Sequence, residues 1–128
     1  MVTLINRNGF YCKTTIDNPV TFTDKMDALL RKVMVESNIP FREFLGLSRK
    51  RDVVEWRQLA MFIAAHNNYG NLVQIGVYFN RHWATVIHAR ERISDGLEIN
   101  DPFILRKLWA MHDFIQLKHY PKPKSNEA

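Results

Sequence analysis

From Thr23 onward the apolar positions recur with a helical period. Met26, Leu29, Leu30, Val33 and Met34 stand at i, i+3, i+4, i+7 and i+8, which places them in one stripe along one side of a helix. Thr23 is positioned to cap that helix, and Asp24 to favour its N-terminal turn. Asn38 and Pro40 close it, because the residue before a proline is pushed out of the α region. One short helical turn is expected over residues 41–45. Asp52-Val53-Val54-Glu55 then has the form of a capping box, with Asp in place of Ser or Thr. It opens a helix that turns Val53, Trp56, Leu59, Ala60 and Ile63 inward and stops near residues 67–70.

The next stretch is the most informative. Asn71-Leu72-Val73-Gln74 repeats the capping pattern and starts a short helix with Leu72, Ile75 and Phe79 facing the core. Gly76 lies inside this helix at a cost of about 1 kcal/mol relative to alanine, which implies the close approach of another helix. A turn at Asn80-Arg81 leads into a second helix over residues 82–94. Val86, Ile87, Arg90 and Ile93 fall towards its core side, and Ala84, Thr85, His88 and Arg92 on the other. Trp83 can join the packed side, the commoner fate of tryptophan; exposed, it could rest on a thymine methyl or a sugar. A short helix, a tight turn and a second helix with one free face have the sequence form of a helix-turn-helix, whose second helix can lie in a DNA major groove. Asp101-Pro102, a cap followed by proline at the first helical position, begins a last helix reaching about residue 119, with Ile104, Leu108, Met111 and Ile115 inward. The polar, proline-containing tail is expected to be disordered.

Residues 2–15 are different, rich in Thr, Ile, Val, Phe and Tyr around Asn8-Gly9. Asn-Gly between such runs is the turn chemistry of a two-residue β-hairpin; the alternative is a flexible leader. The expected organisation is an extension over residues 1–22, an all-α domain of five to six helices over 23–119, and a tail over 120–128. The 128 residues suffice for one core, with 46% hydrophobic and 24% charged residues. A formal charge of +5 and a pI near 9.6 favour an anionic partner. A lone cysteine, Cys12, leaves no internal disulfide and suits a reducing cytosol. Neither a membrane span nor a signal peptide is legible. His66, His82, His88, His112 and His119 form no ligand pairs at metal spacing, and no catalytic constellation stands out, so neither metal, cofactor nor enzymatic activity is expected.

With these elements in place, the run Ile75-Gly76-x-x-Phe79-x-Arg81-x-x-x-Thr85-Val86-Ile87-His88-Ala89, preceded by Arg57-Gln58-x-Ala60-Met61, resembles the C-terminal DNA-binding domain of the bacterial replication initiator DnaA. The resemblance covers about residues 23–117. It implies an all-helical, Trp-repressor-like bundle whose helix-turn-helix reads the major groove while an arginine upstream enters the minor groove. By position it makes Arg49 the minor-groove arginine with Arg51 beside it, gives Arg57 and Gln58 phosphate contacts, places Arg81 in the turn, and puts Thr85 and His88 on the groove-facing side. Members of the family usually carry Asp-His-Ser/Thr where this chain has His82-Trp83-Ala84, at the positions that make most base contacts. Glu55 replaces a basic residue and would repel phosphate, although a capping role would account for it. The initiator's ATPase loop, Gly-x-x-x-x-Gly-Lys-Ser/Thr, does not occur in these residues.

The expected function is double-stranded DNA binding by a stand-alone domain of this type, cytoplasmic and associated with the nucleoid, with a sequence preference of its own. Replication control, transcription, and a mobile element or phage all remain open. The contact set is Arg49, Arg51, Arg57, Gln58, Arg81, His82, Trp83, Ala84, Thr85, His88 and Arg92. The alternative is a protein-interaction module that keeps the fold but has lost base reading, with its partner held by the second-helix face or the N-terminal extension.

Overall fold

In the computed structural model, six helices among the described residues carry the apolar stripes into one core. The structure describes residues 21–117, 120 and 121, and the backbone of residues 2–5 and 11–16. Helices α1 (Thr21–Ser37), α2 (Phe41–Leu45), α3 (Arg51–His66), α4 (Leu72–Tyr78), α5 (Trp83–Glu98) and α6 (Pro102–Ala110) follow two short strands, β1 (Val2–Ile5) and β2 (Tyr11–Ile16). The strands pair antiparallel, with Leu4 opposite Cys12 and Ile5 opposite Tyr11. The Asn8-Gly9 turn lies outside the described residues.

Helix α3 is the central post. Val53, Trp56, Leu59, Ala60 and Ile63 are buried along it as their spacing requires, and α5 packs on it more extensively than any other helix does. Met26, Leu29, Leu30 and Val33 of α1 are buried, as are Ile75 and Phe79 at α4 and Ile104 and Leu108 of α6. Tyr78 ties α4 to α1 by donating its hydroxyl to Asp27 Oδ1 at 2.6 Å. Burial first, and the hydrogen bond to Asp27 second, push that phenol above its ordinary range.

The helix ends follow one rule. Asn38, Asn68, Asn80 and Asn100 have φ of 61°, 56°, 59° and 54°. Each lies just past the end of α1, α3, α4 or α5. Asparagine tolerates this left-handed conformation better than other residues with a Cβ, which makes it the usual substitute for a terminating glycine.

Four boundaries or faces differ from the sequence reading. Helix α1 begins at Thr21, so Thr23 is inside its first turn and is not its cap. Helix α5 runs four residues past Ser94, to Glu98, and its buried side is Val86, Ala89, Ile93, Gly96 and Leu97. Arg90 is exposed and Ile87 only half-buried, because the contact with α3 and α4 follows the Val86–Ala89–Ile93 line. Helix α6 stops at Ala110, well short of residue 119. Met111 and Ile115 are still buried, but they arrive there through tight turns in which Met111 N–H bonds Leu108 O and Phe114 N–H bonds Met111 O. Turns of this kind can sustain a four-residue apolar spacing beyond the helix itself. At the C-terminal end, Tyr120 packs partly buried against the core and Trp109 Nε1 donates to Pro121 O at 3.0 Å; residues 122–128 lie outside the described set.

Candidate nucleic-acid interface

Two helix starts and one tight turn build the site. At α4 the capping box is complete: Gln74 N–H donates to Asn71 Oδ1 at 2.8 Å and Asn71 N–H to Gln74 Oε1 at 2.9 Å. The chain then reverses through Asn80, whose N–H bonds Val77 O, and Arg81, whose N–H bonds Gly76 O at 2.7 Å. Gly76 explains how the turn fits. A Cβ there would lie 2.7 Å from Arg81 O and 3.3 Å from the backbone of His82 and Trp83. The close neighbours are the backbone of the turn and, at Trp83, the start of α5, so the approaching helix meets Gly76 by its first residue.

At the start of α5, His82 takes the capping position. Its Nδ1 accepts from Ala84 N–H at 3.1 Å, a role that requires the unprotonated nitrogen. An imidazole thus serves as the cap of α5. Trp83 is 45% exposed, which decides between the two placements the sequence left open. As the first residue of α5 it stands ahead of Val86, the first buried position of that helix, and its ring lies 5.1 Å from the His82 ring, tilted by 34°. Ala84 and Thr85 are half-exposed and His88 and Arg92 exposed. Thr85, His88 and Arg92 form an i, i+3, i+7 stripe on the side of α5 away from Val86 and Ile93.

Arg57 lies mostly inside the protein. It is 6% exposed, and two of its three guanidinium nitrogens are engaged there. Nε donates to Phe44 O at 2.9 Å, and Nη2 to Glu43 O at 3.2 Å and Ser48 O at 3.4 Å. Held in this way, the side chain has only Nη1 left to offer a phosphate. Burial first, and the neighbouring Arg81 charge second, lower its pKa, yet a guanidinium stays charged at any ordinary pH. Arg81 works from the opposite side. It donates through Nη1 to Leu45 O, Phe79 O and Asn80 O and through Nη2 to Gly46 O. Helix α2 has only five residues, so its last carbonyls lack partners within it. The two arginines supply those partners. They also fix the α2–α3 loop, which carries Arg49 and Lys50, against the turn that starts α5.

Arg49, Lys50 and Arg51 are exposed. The N-cap of α3 is Lys50 and makes no side-chain cap, so Asp52 and Glu55 do not form the expected capping box. The helix begins two residues too early for Asp52 to cap it. Glu55 instead accepts from Arg51 Nε at 3.1 Å and from Lys107 Nζ of α6 at 3.1 Å. Lys107 also lies over the Trp56 ring, 5.7 Å from its centre. A narrow cleft between α3, α5 and α6 brings Glu55, Gln58, Arg92 and Lys107 together. Lys107 did not stand out in the sequence, because its partner Glu55 is 52 residues away. Among the described residues, no group of three or more His, Cys, Asp or Glu side chains is placed to hold a metal ion, and no helix is long and apolar enough to cross a membrane.

Comparison with known proteins matches residues 26–93 to the bacterial DnaA protein helix-turn-helix family. Similar proteins include the chromosomal replication initiator protein DnaA of Synechococcus sp., 38% identical over 69 residues, which are 53% of this chain and 15% of that protein. Chromosomal replication initiator protein DnaA 2 of Chlamydia pneumoniae is 28% identical over 96 residues, 75% of this chain and 21% of the relative. The DnaA of Bacteroides thetaiotaomicron is 32% identical over 79 residues, 61% and 17% respectively. The matched segments thus span about a fifth or less of these initiators.

Proposed function

Because the chain belongs to the bacterial DnaA helix-turn-helix family, we propose that it binds double-stranded DNA, with α5 in the major groove and the α2–α3 loop on the adjoining minor groove. The observation that carries this reading is the Thr85–His88–Arg92 stripe on the free side of α5, flanked by the exposed cations Arg49 and Lys50, on a loop fastened to the α4–α5 turn by Arg81, and Arg51 at the start of α3. Thr85 and His88 contact base edges, and Arg49 enters the minor groove with some preference for A·T pairs. Arg51, Gln58 and Arg92 serve the phosphates. Arg57 and Arg81 act within the protein, as struts. His82, Trp83 and Ala84 give the domain a sequence preference different from that of the initiators' own sites. The work is cytoplasmic, on the nucleoid, in control of replication or transcription or within a mobile element.

A protein partner on the same face is the second reading. It is favoured by the exposure of Trp83 at 45% and of Leu47 at 90%. His88→Ala separates the two. On a duplex selected from a random library, the substitution is expected to cost on the order of 1–3 kcal/mol in binding, and little on a scrambled duplex. Equal losses on both duplexes remove His88 from base reading. Absence of binding to any duplex at low salt transfers the face to the protein-partner reading.

A further inference from the structure

We propose that Glu55 is a counter-charge built into the DNA-facing rim, one that holds Arg51 and Lys107 as a DNA phosphate would and so sets how strongly the domain grips any duplex. The proposal rests on the DNA reading above. The geometry is that of a phosphate substitute: one carboxylate oxygen takes Arg51 Nε at 3.1 Å, and the other takes Lys107 Nζ at 3.1 Å. Asp52 adds a second, looser anion, 3.8 Å from Lys107 Nζ. The cluster borders the proposed contact face directly, since Glu55 and Lys107 share a cleft with Gln58 and Arg92.

The two ion pairs differ in weight. Arg51 is 80% exposed, so its pair with Glu55 is screened by water and salt and contributes little. The Glu55 and Lys107 side chains are only 13% and 17% exposed, so their attraction is much less screened. Burial alone would raise the Glu55 carboxyl, but its hydrogen bonds to Lys107 and then Arg51 hold it below the ordinary range and keep it ionised at neutral pH. The consequence is a rim in which Lys107 is firmly matched and Arg51 only loosely, so that Arg49, Lys50, Arg51 and Arg92 remain available to release counterions from DNA. Neutralising Glu55 makes the rim one unit more positive and returns Lys107 to the field felt by phosphate.

The test is a salt titration of the full chain on a selected and a scrambled duplex, with the wild type, Glu55→Gln and Glu55→Ala, each first checked for helix content and thermal midpoint. Glu55→Gln is expected to tighten both duplexes by roughly three- to tenfold near 0.1 M salt and to steepen the slope of log K against log[salt] by about one unit. Adding Lys107→Met to it is expected to cancel most of the gain. Alanine is a second neutral residue suited to a helix interior, and it gives the same reading if the glutamine variant is unstable. Unchanged or weaker binding by a folded neutral variant overturns the proposal. So does loss of folding in both variants, which would make Glu55 a strut. Wild type that binds neither duplex at low salt overturns the DNA reading itself, a failure visible before any variant is compared.

Discussion

Arg57→Ala is expected to lower stability by about 2–4 kcal/mol, because it leaves the carbonyls of Glu43, Phe44 and Ser48 without a donor and opens a cavity beside α2. Against a total of roughly 5–15 kcal/mol for a domain this is a large fraction, and it corresponds to a fall on the order of 10–20 °C in the thermal midpoint. Arg57→Lys retains the positive charge, but an ammonium cannot span the same fork of carbonyls, so it should recover only part of the loss. Calorimetry on the three proteins checks this. A variant that unfolds at the wild-type temperature, while binding DNA more weakly and with a salt slope shallower by about one unit, would restore Arg57 to the phosphate-contacting set and remove it from the core.

Gly76→Val is expected to be at least as damaging to binding. Any Cβ at this position meets the Arg81 carbonyl oxygen at 2.7 Å, and that oxygen belongs to backbone, which cannot swing aside as the end of a flexible side chain can. The turn must move, and His82 and Trp83 with it. Overpacking of this kind typically costs 1–3 kcal/mol, and the branched side chain adds crowding within a short helix. Because the displaced turn sets the position of α5, affinity for a selected duplex should fall by more than stability alone accounts for. Thermal melts and duplex titrations on the same sample separate the two effects. An unchanged melt together with unchanged affinity would show that the turn has slack the structure does not contain.

These two residues also mark what could be seen in the chain beforehand. The helical stripes of α1, α3 and α6 were legible because burial at i, i+3 and i+4 is a local, periodic property. The α4 cap was legible because both partners, Asn71 and Gln74, lie within four residues of each other. Asp101-Pro102 was legible for the same reason, and Asp101 caps α6 by accepting from Phe103 N–H at 2.9 Å. The burial of Arg57 was not legible because its acceptors are backbone carbonyls outside its own helix, and a carbonyl leaves no mark in a sequence. Glu55 resembled a capping residue, since its position fits that role and its partner Lys107 comes from α6. Gly76 was noticed as a cost to its helix, but the compensating contact is five residues ahead, in a turn whose path only the folded chain reveals. Trp83 fell on the apolar side of a helical wheel, yet a wheel does not say where the neighbouring helices end.

The central claim is that the exposed side of α5 and the basic α2–α3 loop hold double-stranded DNA together. The most direct measurement is selection of bound duplexes from a random library, followed by titration of the best duplex at several salt concentrations. If the rim neutralises about five phosphates, log K should fall against log[salt] with a slope of roughly −4 to −5. The enriched sequences should share a major-groove motif beside an A·T-rich step that accommodates Arg49. No enrichment, together with binding that is absent at low salt or indifferent to it, would contradict the account.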